Sequence, residues 1–250
     1  RKEVNDAMRP DVGGHGTYDR IVEHFRRCAL SRKGGNYDYR GVYTYLRGTY
    51  THNNLDFTND VLSMHDAGFD ILSLEPVVLK DSPYAITEED LPRIYAEYDR
   101  LVDAYMERRR AGRGFWFFHF NMDLSNGPCV AKRLSGCGAG HEYFAVAENG
   151  DLYPCHQFVG REGYRLGSLR EGVTRPELSQ YFRESHVLNK EKCRDCWARF
   201  FCSGGCHANA DLFHGDIREP YEIGCAIQKK RLECAILVQS LLALENNKKE

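Results

Sequence analysis

The sequence predicts an α/β chain whose second part is a cysteine-rich module, on three observations. Apolar runs and helical patterns alternate through the first half. Residues 41–51, Ile71–Leu79 and Phe115–Phe120 read as strands, while Tyr18–Leu30, Asn59–Ala67 and a long segment after Thr87 read as helices. Strand, helix, strand, helix, strand is the alternation of a parallel sheet with helices outside. After about Asn126 the texture changes to glycine, cysteine and short elements. Finally, eight of the ten cysteines fall between residues 129 and 225.

The elements follow in order. The helix Tyr18–Leu30 carries Ile21, Val22, Phe25 and Leu30 on its inner side and is followed by a break at Gly34-Gly35. The helix Asn59–Ala67 stops at Gly68, and Thr87-x-x-Asp90 offers an N-cap for a helix to about Arg110, closed by Gly112. Arg108-Arg109-Arg110 reads as the solvated end of that helix, where cations suit the C-terminal dipole. Further on, Glu142–Ala147 and Leu152–Tyr153 flank Asn149-Gly150, a two-residue hairpin signal with positive φ expected at both central residues. That hairpin returns Cys155 alongside Cys137. Arg183–Lys192 is a polar connector, and Gly204-Gly205 lets the backbone pass close to a bound group. Cys225 to about Asn246 is an amphipathic helix packing through Ile227, Leu232, Ile236 and Leu237.

The cysteine spacing carries the chemistry. The run is Cys137-x12-Gly150-x4-Cys155, then Cys193-x2-Cys196-x5-Cys202-x3-Cys206, then eighteen residues to Cys225, with Cys129 eight positions before Cys137. Thiolates are soft ligands for iron–sulfur clusters or zinc, each site commonly taking four, so eight divide into two sets. A secreted disulfide scaffold is not expected, because such scaffolds are usually under about 80 residues and follow a signal peptide, whereas this sequence has 250 residues and shows no apolar leader. Two structural zinc sites are the competing assignment, but zinc knuckles usually mix Cys with His and pair two CxxC units, whereas one CxxC stands here. Iron–sulfur is the expectation.

The pattern C-x12-G-x4-C … C-x2-C-x5-C-x3-C … C resembles the SPASM extension of radical S-adenosylmethionine (SAM) enzymes. The words Gly136-Cys137-Gly138-Ala139-Gly140, Tyr153-Pro154-Cys155-His156-Gln157-Phe158-Val159-Gly160 and Cys202-Ser203-Gly204-Gly205-Cys206 resemble the maturases of SCIFF peptides, which form thioether bonds within a ribosomal peptide. Arg47-Gly48-Thr49-Tyr50-Thr51-His52-Asn53-Asn54-Leu55-Asp56 and Leu74-Glu75-Pro76-Val77-Val78 extend the likeness upstream. The fold this resemblance implies is the back half of a radical SAM (β/α) barrel over 1–126, followed by a SPASM iron–sulfur domain with a C-terminal helix over 127–250. It implies two auxiliary [4Fe-4S] clusters. Cys193, Cys196, Cys202 and Cys225 would hold one; Cys137, Cys155 and Cys206, with Cys129 as fourth ligand, would hold the other, unless an open iron there takes a substrate thiol.

The resemblance also implies SAM and a third [4Fe-4S] cluster in the intact enzyme, a cysteine-rich precursor peptide, and an electron donor such as ferredoxin or flavodoxin. The third cluster's C-x3-C-x2-C loop does not occur here, Cys28 being the sole cysteine before Cys129. The chain is therefore expected to be a fragment that does not cleave SAM by itself. Arg47, at a strand end, is the candidate contact for the methionyl carboxylate of SAM; Glu75 is expected in a buried ion pair, and His52 and His119 in polar networks. His156 is expected in a hydrogen bond beside a cluster, Trp197 and Phe200-Phe201 as an apolar wall, and Cys28 and Cys234 as plain buried thiols. A sulfatase-maturase-like enzyme that forms formylglycine is the alternative within the same family, and a cysteine-rich zinc module the alternative without catalysis. A net charge of −2, without a long basic patch or a transmembrane-length apolar run, points away from nucleic acid and membrane and toward the cytoplasm.

Overall fold

The computed structural model describes residues 1–33 and 45–247. The glycine break at Gly34-Gly35 and the opening of the first expected strand, residues 41–44, lie outside them. The chain forms two compact units: Arg1–Leu124 with Lys230–Glu250, and Ser125–Lys229. A division at 126/127 assigned the whole C-terminal helix to the second part; from Lys230 onward it groups with the first instead. The reason is polar as well as apolar. Arg231 donates to Tyr98 Oη at 2.7 Å, Glu75 Oε2 at 2.9 Å and Leu74 O at 2.8 Å, and Gln239 donates to Phe120 O at 2.7 Å.

The first unit begins with helices α1 (Lys2–Met8) and α2 (Tyr18–Lys33). Strands β1 (Leu46–Tyr50), β2 (Ile71–Pro76) and β3 (Trp116–Phe117) form a parallel sheet in that order. Its register sets Gly48 opposite Leu74, and Leu72 opposite Phe117. Parallel strands need crossovers, here α3 (Thr58–Asp66) and α4 (Leu91–Arg110). On α4, Ile94, Tyr98, Leu101, Val102, Tyr105 and Met106 are buried, a helical-period stripe facing the core. Thr87 starts the turn into α4 by donating its amide to Asp90 Oδ2 at 3.0 Å. After β1, Thr51-His52-Asn53-Asn54 closes the strand end as a capping box: the Thr51 amide reaches Asn54 Oδ1 at 2.8 Å, and the Asn53 amide reaches Thr51 Oγ1 at 3.2 Å.

Three local expectations change here. Phe25 is 46% exposed, so α2 is less embedded than its apolar spacing suggests. The run Phe115–Phe120 yields only a two-residue strand, because Phe118–Phe120 winds into a 3-10 turn that buries Phe120. Arg108 is not a solvated helix end: it makes two bonds to the Asp66 carboxylate at 2.8 and 2.9 Å.

The second unit opens with the short helix α5 (Val130–Arg133). Strands β4 (Ala145–Val146), β5 (Asp151–Tyr153), β6 (Gly167–Ser168) and β7 (Gly172–Val173) form an antiparallel meander. Helices α6 (Pro176–Glu184), α7 (Glu191–Arg194), α8 (Arg199–Cys202) and α9 (His207–His214) follow, then the first part of α10 (Glu222–Asn247). Phe158, Leu166, Phe182 and Ile217 are fully buried at its core. Burying each contributes on the order of 1.5–3 kcal/mol, enough to hold a unit whose regular elements are mostly two to nine residues long. The expected polar connector is more structured than its composition suggests. Its start completes α6, and Ser185, Val187 and Lys190 are buried.

The Asn149-Gly150 hairpin forms with a different turn. Gly150 has φ +87°, but Asn149 is not in the left-handed region. The Gly150 amide bonds to Ala147 O at 2.9 Å, and the Ala147 amide to Asp151 O at 2.9 Å. This is a three-residue connection with one left-handed position, which only Gly150 need fill. On α10, Ile227 and Leu232 are buried as expected, whereas Ile236 and Leu237 are 39% and 47% exposed. Ala235 and Val238 are buried instead, so the apolar stripe runs along a neighbouring line of the helix. Among the described residues no helix is long and apolar enough to cross a membrane.

Candidate metal centre

The β4–β5 hairpin pairs Ala145 with Tyr153, which carries the chain back toward Gly140. There the Gly140 amide bonds to Pro154 O at 3.1 Å, and Gly138 O accepts from the Glu142 amide at 2.8 Å. These bonds fold the loop bearing Cys137 beside Cys155. The buried Cys155 receives the backbone amides of Gln157 and Phe158, while Cys206 stands at the start of α9. Burial pushes the Cys155 thiol up, and Cys206 and Cys137 push it further. Tyr143 joins the same group. Burial first, then Cys137, to which its hydroxyl is hydrogen-bonded, pushes its phenol up to about 12.

The second set is wound from consecutive turns. The Cys193 amide bonds to Lys190 O at 3.0 Å, the Cys196 amide to Cys193 O at 3.0 Å, and the Cys202 amide to Ala198 O at 2.8 Å. Ser203, Gly204 and Gly205 then all adopt positive φ, at 62°, 83° and 73°. A Cβ added to Gly205 would meet nothing, so that glycine serves to turn the backbone, whereas one on Gly204 would come within 3.3 Å of Val187 Cγ1. The turn aims the amides of Gly204 and Gly205 at Cys202 Sγ, a small nest of the kind that binds anions. Burial, and then the neighbouring thiols, push Cys225 up to about 11; Cys193 and Cys202 are raised with it.

Seven thiols thus gather as Cys137, Cys155 and Cys206 in one set and Cys193, Cys196, Cys202 and Cys225 in the other. No cysteine among the described residues is in a disulfide. Each set brings thiols together with amide donors directed at one sulfur, and the raised pKa of Cys155 in one and of Cys193, Cys202 and Cys225 in the other is what an incoming cation would relieve. All-sulfur donors with amide hydrogen bonds suit an iron–sulfur cluster. Among the described residues no three His, Cys, Asp or Glu side chains converge as ligands of a single ion. In a cluster each thiolate binds its own iron, so donor chemistry, rather than convergence on a point, is the test the sets meet.

Cys129 is exposed at the start of α5, which packs against α8, and it is not among the main influences on Cys155 or Tyr143. Cys234 is buried; Cys28, expected to be buried, is exposed. His156 is exposed, and Trp197 is 53% exposed rather than part of an apolar wall.

In the first unit Arg47 is 60% exposed at its side chain, and its guanidinium lies 3.9 Å from Glu75 Oε1. Glu75 is chiefly the partner of Arg231 and of His119, whose Nε2 stands at 3.2 Å. Burial alone would raise this carboxyl, but His119 and Arg231 outweigh it and hold Glu75 at about 2. His52 Nδ1 pairs with Asp90 Oδ1 at 2.9 Å, while the ring of His119 is buried beside Glu75.

Two residues beside the thiols escaped sequence reasoning. Lys190 is 1% exposed and donates to Gly204 O at 2.9 Å. His207, next to Cys206, is pushed down to about 4 by burial and the charge of Lys190, and its neutral Nε2 donates to Ser185 O at 3.1 Å. Their positions, three residues before the CxxC and directly after Cys206, were the available signals.

Residues 137–197 match the SPASM family, an iron–sulfur cluster-binding domain. An uncharacterized protein of Archaeoglobus fulgidus is 30% identical over 142 residues, 53% of this chain and 34% of that protein. A cysteine-type anaerobic sulfatase-maturating enzyme of Clostridium novyi is 23% identical over 84% of this chain and 56% of its own length. The chain thus spans between about a third and somewhat over half of these relatives. Its fold is shared with two solved structures at 19% identity. One, native anSMEcpe with bound AdoMet and Kp18Cys peptide, has a TM-score of 0.68 over 99% of this chain and 67% of that one. The other, native anSMEcpe with bound AdoMet, has a TM-score of 0.69 over 99% of this chain and 66% of that one.

Proposed function

We propose that this chain is the auxiliary-cluster part of a radical SAM enzyme that oxidises a cysteine side chain of a peptide. The observation that carries this is the gathering of seven thiols into sets of three and four, each with backbone amides aimed at one of its sulfurs. The SPASM match over 137–197 and the shared fold of AdoMet- and peptide-bound neighbours support it. Cys193, Cys196, Cys202 and Cys225 would hold one [4Fe-4S] cluster; Cys137, Cys155 and Cys206, with Cys129, the other. Such clusters supply one-electron storage and an iron that can accept a thiolate. The amides at Cys155 and Cys202 stabilise thiolate charge and tune that storage. Arg47, exposed and only 3.9 Å from its carboxylate partner, is free to trade Glu75 for the carboxylate of SAM.

Within this class we assign thioether formation in a cysteine-rich precursor peptide, served by a ferredoxin- or flavodoxin-type electron donor. The motif words around Cys137, Cys155 and Cys202 support that choice. One peptide C–H and the cysteine S–H are replaced by a C–S bond, with loss of two hydrogen atoms (two protons and two electrons); the SAM-derived radical would take one as a hydrogen atom, and a cluster and solvent would take the other electron and proton. Conversion of a peptide cysteine to formylglycine is the second reading, favoured by the Clostridium novyi relative. The test uses the full native gene product. Anaerobic reconstitution should give about twelve iron and twelve sulfide per full-length chain, about eight of each from the two auxiliary clusters, together with an absorbance that bleaches with dithionite and a peptide product lighter by two hydrogens without an aldehyde. An aldehyde product selects the second reading; zinc without sulfide overturns both.

A further inference from the structure

Lys190 has no carboxylate among the described residues within ion-pair distance, although it is 1% exposed. Its Nζ donates to Gly204 O at 2.9 Å. Burial pulls its ammonium pKa down, and the groups around it that favour its charge, once ionised, are thiols of both sets: Cys193, Cys202 and Cys225 of one, and Cys206 of the other. A buried ammonium held by one carbonyl is costly unless an anion stands nearby. Two thiolate-bound clusters, each carrying net negative charge with its ligands, would be that anion.

The bonding around Lys190 gives it a route to both sets. Its own carbonyl accepts the amides of Cys193 and Arg194, each at 3.0 Å, and so starts the CxxC turn. Its ammonium holds Gly204, in the loop that joins Cys202 to Cys206. The Gly204 carbonyl and the Gly205 amide belong to one peptide plane, and that amide is directed at Cys202 Sγ. A cation on the carbonyl end polarises the peptide and strengthens the N–H donor at the other end. Lys190 therefore acts on Cys202 through a hydrogen-bonded peptide, and on the remaining thiolates through space.

We propose that Lys190 is a shared counter-cation that raises the reduction potential of the auxiliary clusters, most strongly at the set containing Cys202. The proposal rests on the cluster assignment above. Reduction adds one electron to an oxidised cluster, with no atom gained or lost, and the extra negative charge is favoured by a fixed positive neighbour. Arginine keeps the charge. Glutamine keeps a donor for Gly204 O without it.

The test is a dithionite titration of reconstituted protein followed by electron paramagnetic resonance, with the Cys202 set isolated in Cys155→Ala protein. Lys190→Gln is expected to lower the reduction equilibrium constant about tenfold, a shift of about 59 mV to more negative potential for a one-electron couple. Lys190→Arg should stay within about threefold of the parent. Loss of iron from Lys190→Gln but not from Lys190→Arg would also support the proposal, because charge and not the hydrogen bond then decides retention. Full iron with an unchanged potential in Lys190→Gln overturns it, as does equal iron loss in both variants, which would make Lys190 a packing residue. A parent chain that takes up no iron and sulfide would instead sink the cluster assignment itself.

Discussion

Replacing Cys196 by Ala is expected to roughly halve the iron held by the reconstituted chain, from about eight to about four atoms. Cys196 lies in the four-thiol set with Cys193, Cys202 and Cys225, and the turn through Cys193 O fixes its position. Loss of one thiolate leaves three crowded sulfurs with no nearby donor of the same kind. The first turn of α10, which carries Cys225, should then loosen, as hydrogen exchange at its amides would report. Cys129→Ala should lose much less iron. Cys129 is exposed, so solvent or an added thiol can take its place. Equal, near-complete loss in the two variants would refute the distinction. The pH sense is also fixed. Cys155, Cys193, Cys202 and Cys225 are raised, the last to about 11, so assembly must displace protons, and iron uptake should improve as pH rises from about 6.5 toward about 8.5.

The largest expected effect on stability is in the first unit. Glu75→Gln removes the carboxylate facing Arg231, whose side chain is 7% exposed. The guanidinium keeps Tyr98 Oη and Leu74 O but loses its one carboxylate partner among the described residues. Breaking a buried pair from one side typically costs about 3–5 kcal/mol; because Glu75 is one-quarter exposed, about 3 is expected. The sign with pH follows from the lowered carboxyl. Glu75 holds its proton at about 2 in the fold against 4.5 ordinarily, so its contribution is complete above pH 4.5 and fades as pH falls toward 2. Hydrogen exchange of the β2 amides should show a parent–variant gap that is wide near neutral pH and narrows below pH 4.5. A gap independent of pH would mean that packing, not the ion pair, holds this position. Arg231→Met should cost less, since an apolar side chain leaves Glu75 with His119 and a partly solvated edge.

The sequence disclosed what depends on local pattern and lost what depends on where a side chain ends up. The βα alternation was legible because Ile71, Leu72 and Leu74 mark β2 and α4 carries a periodic stripe, entered by a turn that Thr87 caps. The cysteine-rich half was legible because cysteines are rare and their spacing is informative, whereas the division of the thiols into two ligand sets came from the resemblance. Lys190 was not, because in Asn189-Lys190-Glu191-Lys192 it looks like any solvated charge. Only the packing of Val187 and the Gly204 loop over it reveals a buried cation. The Asn149 turn differs from expectation because Asn-Gly is compatible with both two- and three-residue hairpins, and ladder register decides between them. The end of the second unit differs for a related reason. Nothing in the composition of α10 signals that Arg231 belongs to Glu75 and Tyr98.

The raised thiols have a further consequence for the protein before it meets iron. A thiol attacks disulfides, alkylating agents and peroxides only as its thiolate. At neutral pH Cys155, Cys193, Cys202 and Cys225 are held protonated by burial and by one another. Crowding that would seem to invite disulfide scrambling therefore also suppresses the nucleophile that scrambling requires. Until iron arrives these four thiols are chemically quiet, and the damage an aerobic preparation suffers should fall first on the exposed Cys28, Cys129, Cys137 and Cys206. Each set thus keeps at least one protected thiol in the interval, while the exposed members are the ones that iron must reach before oxidants do.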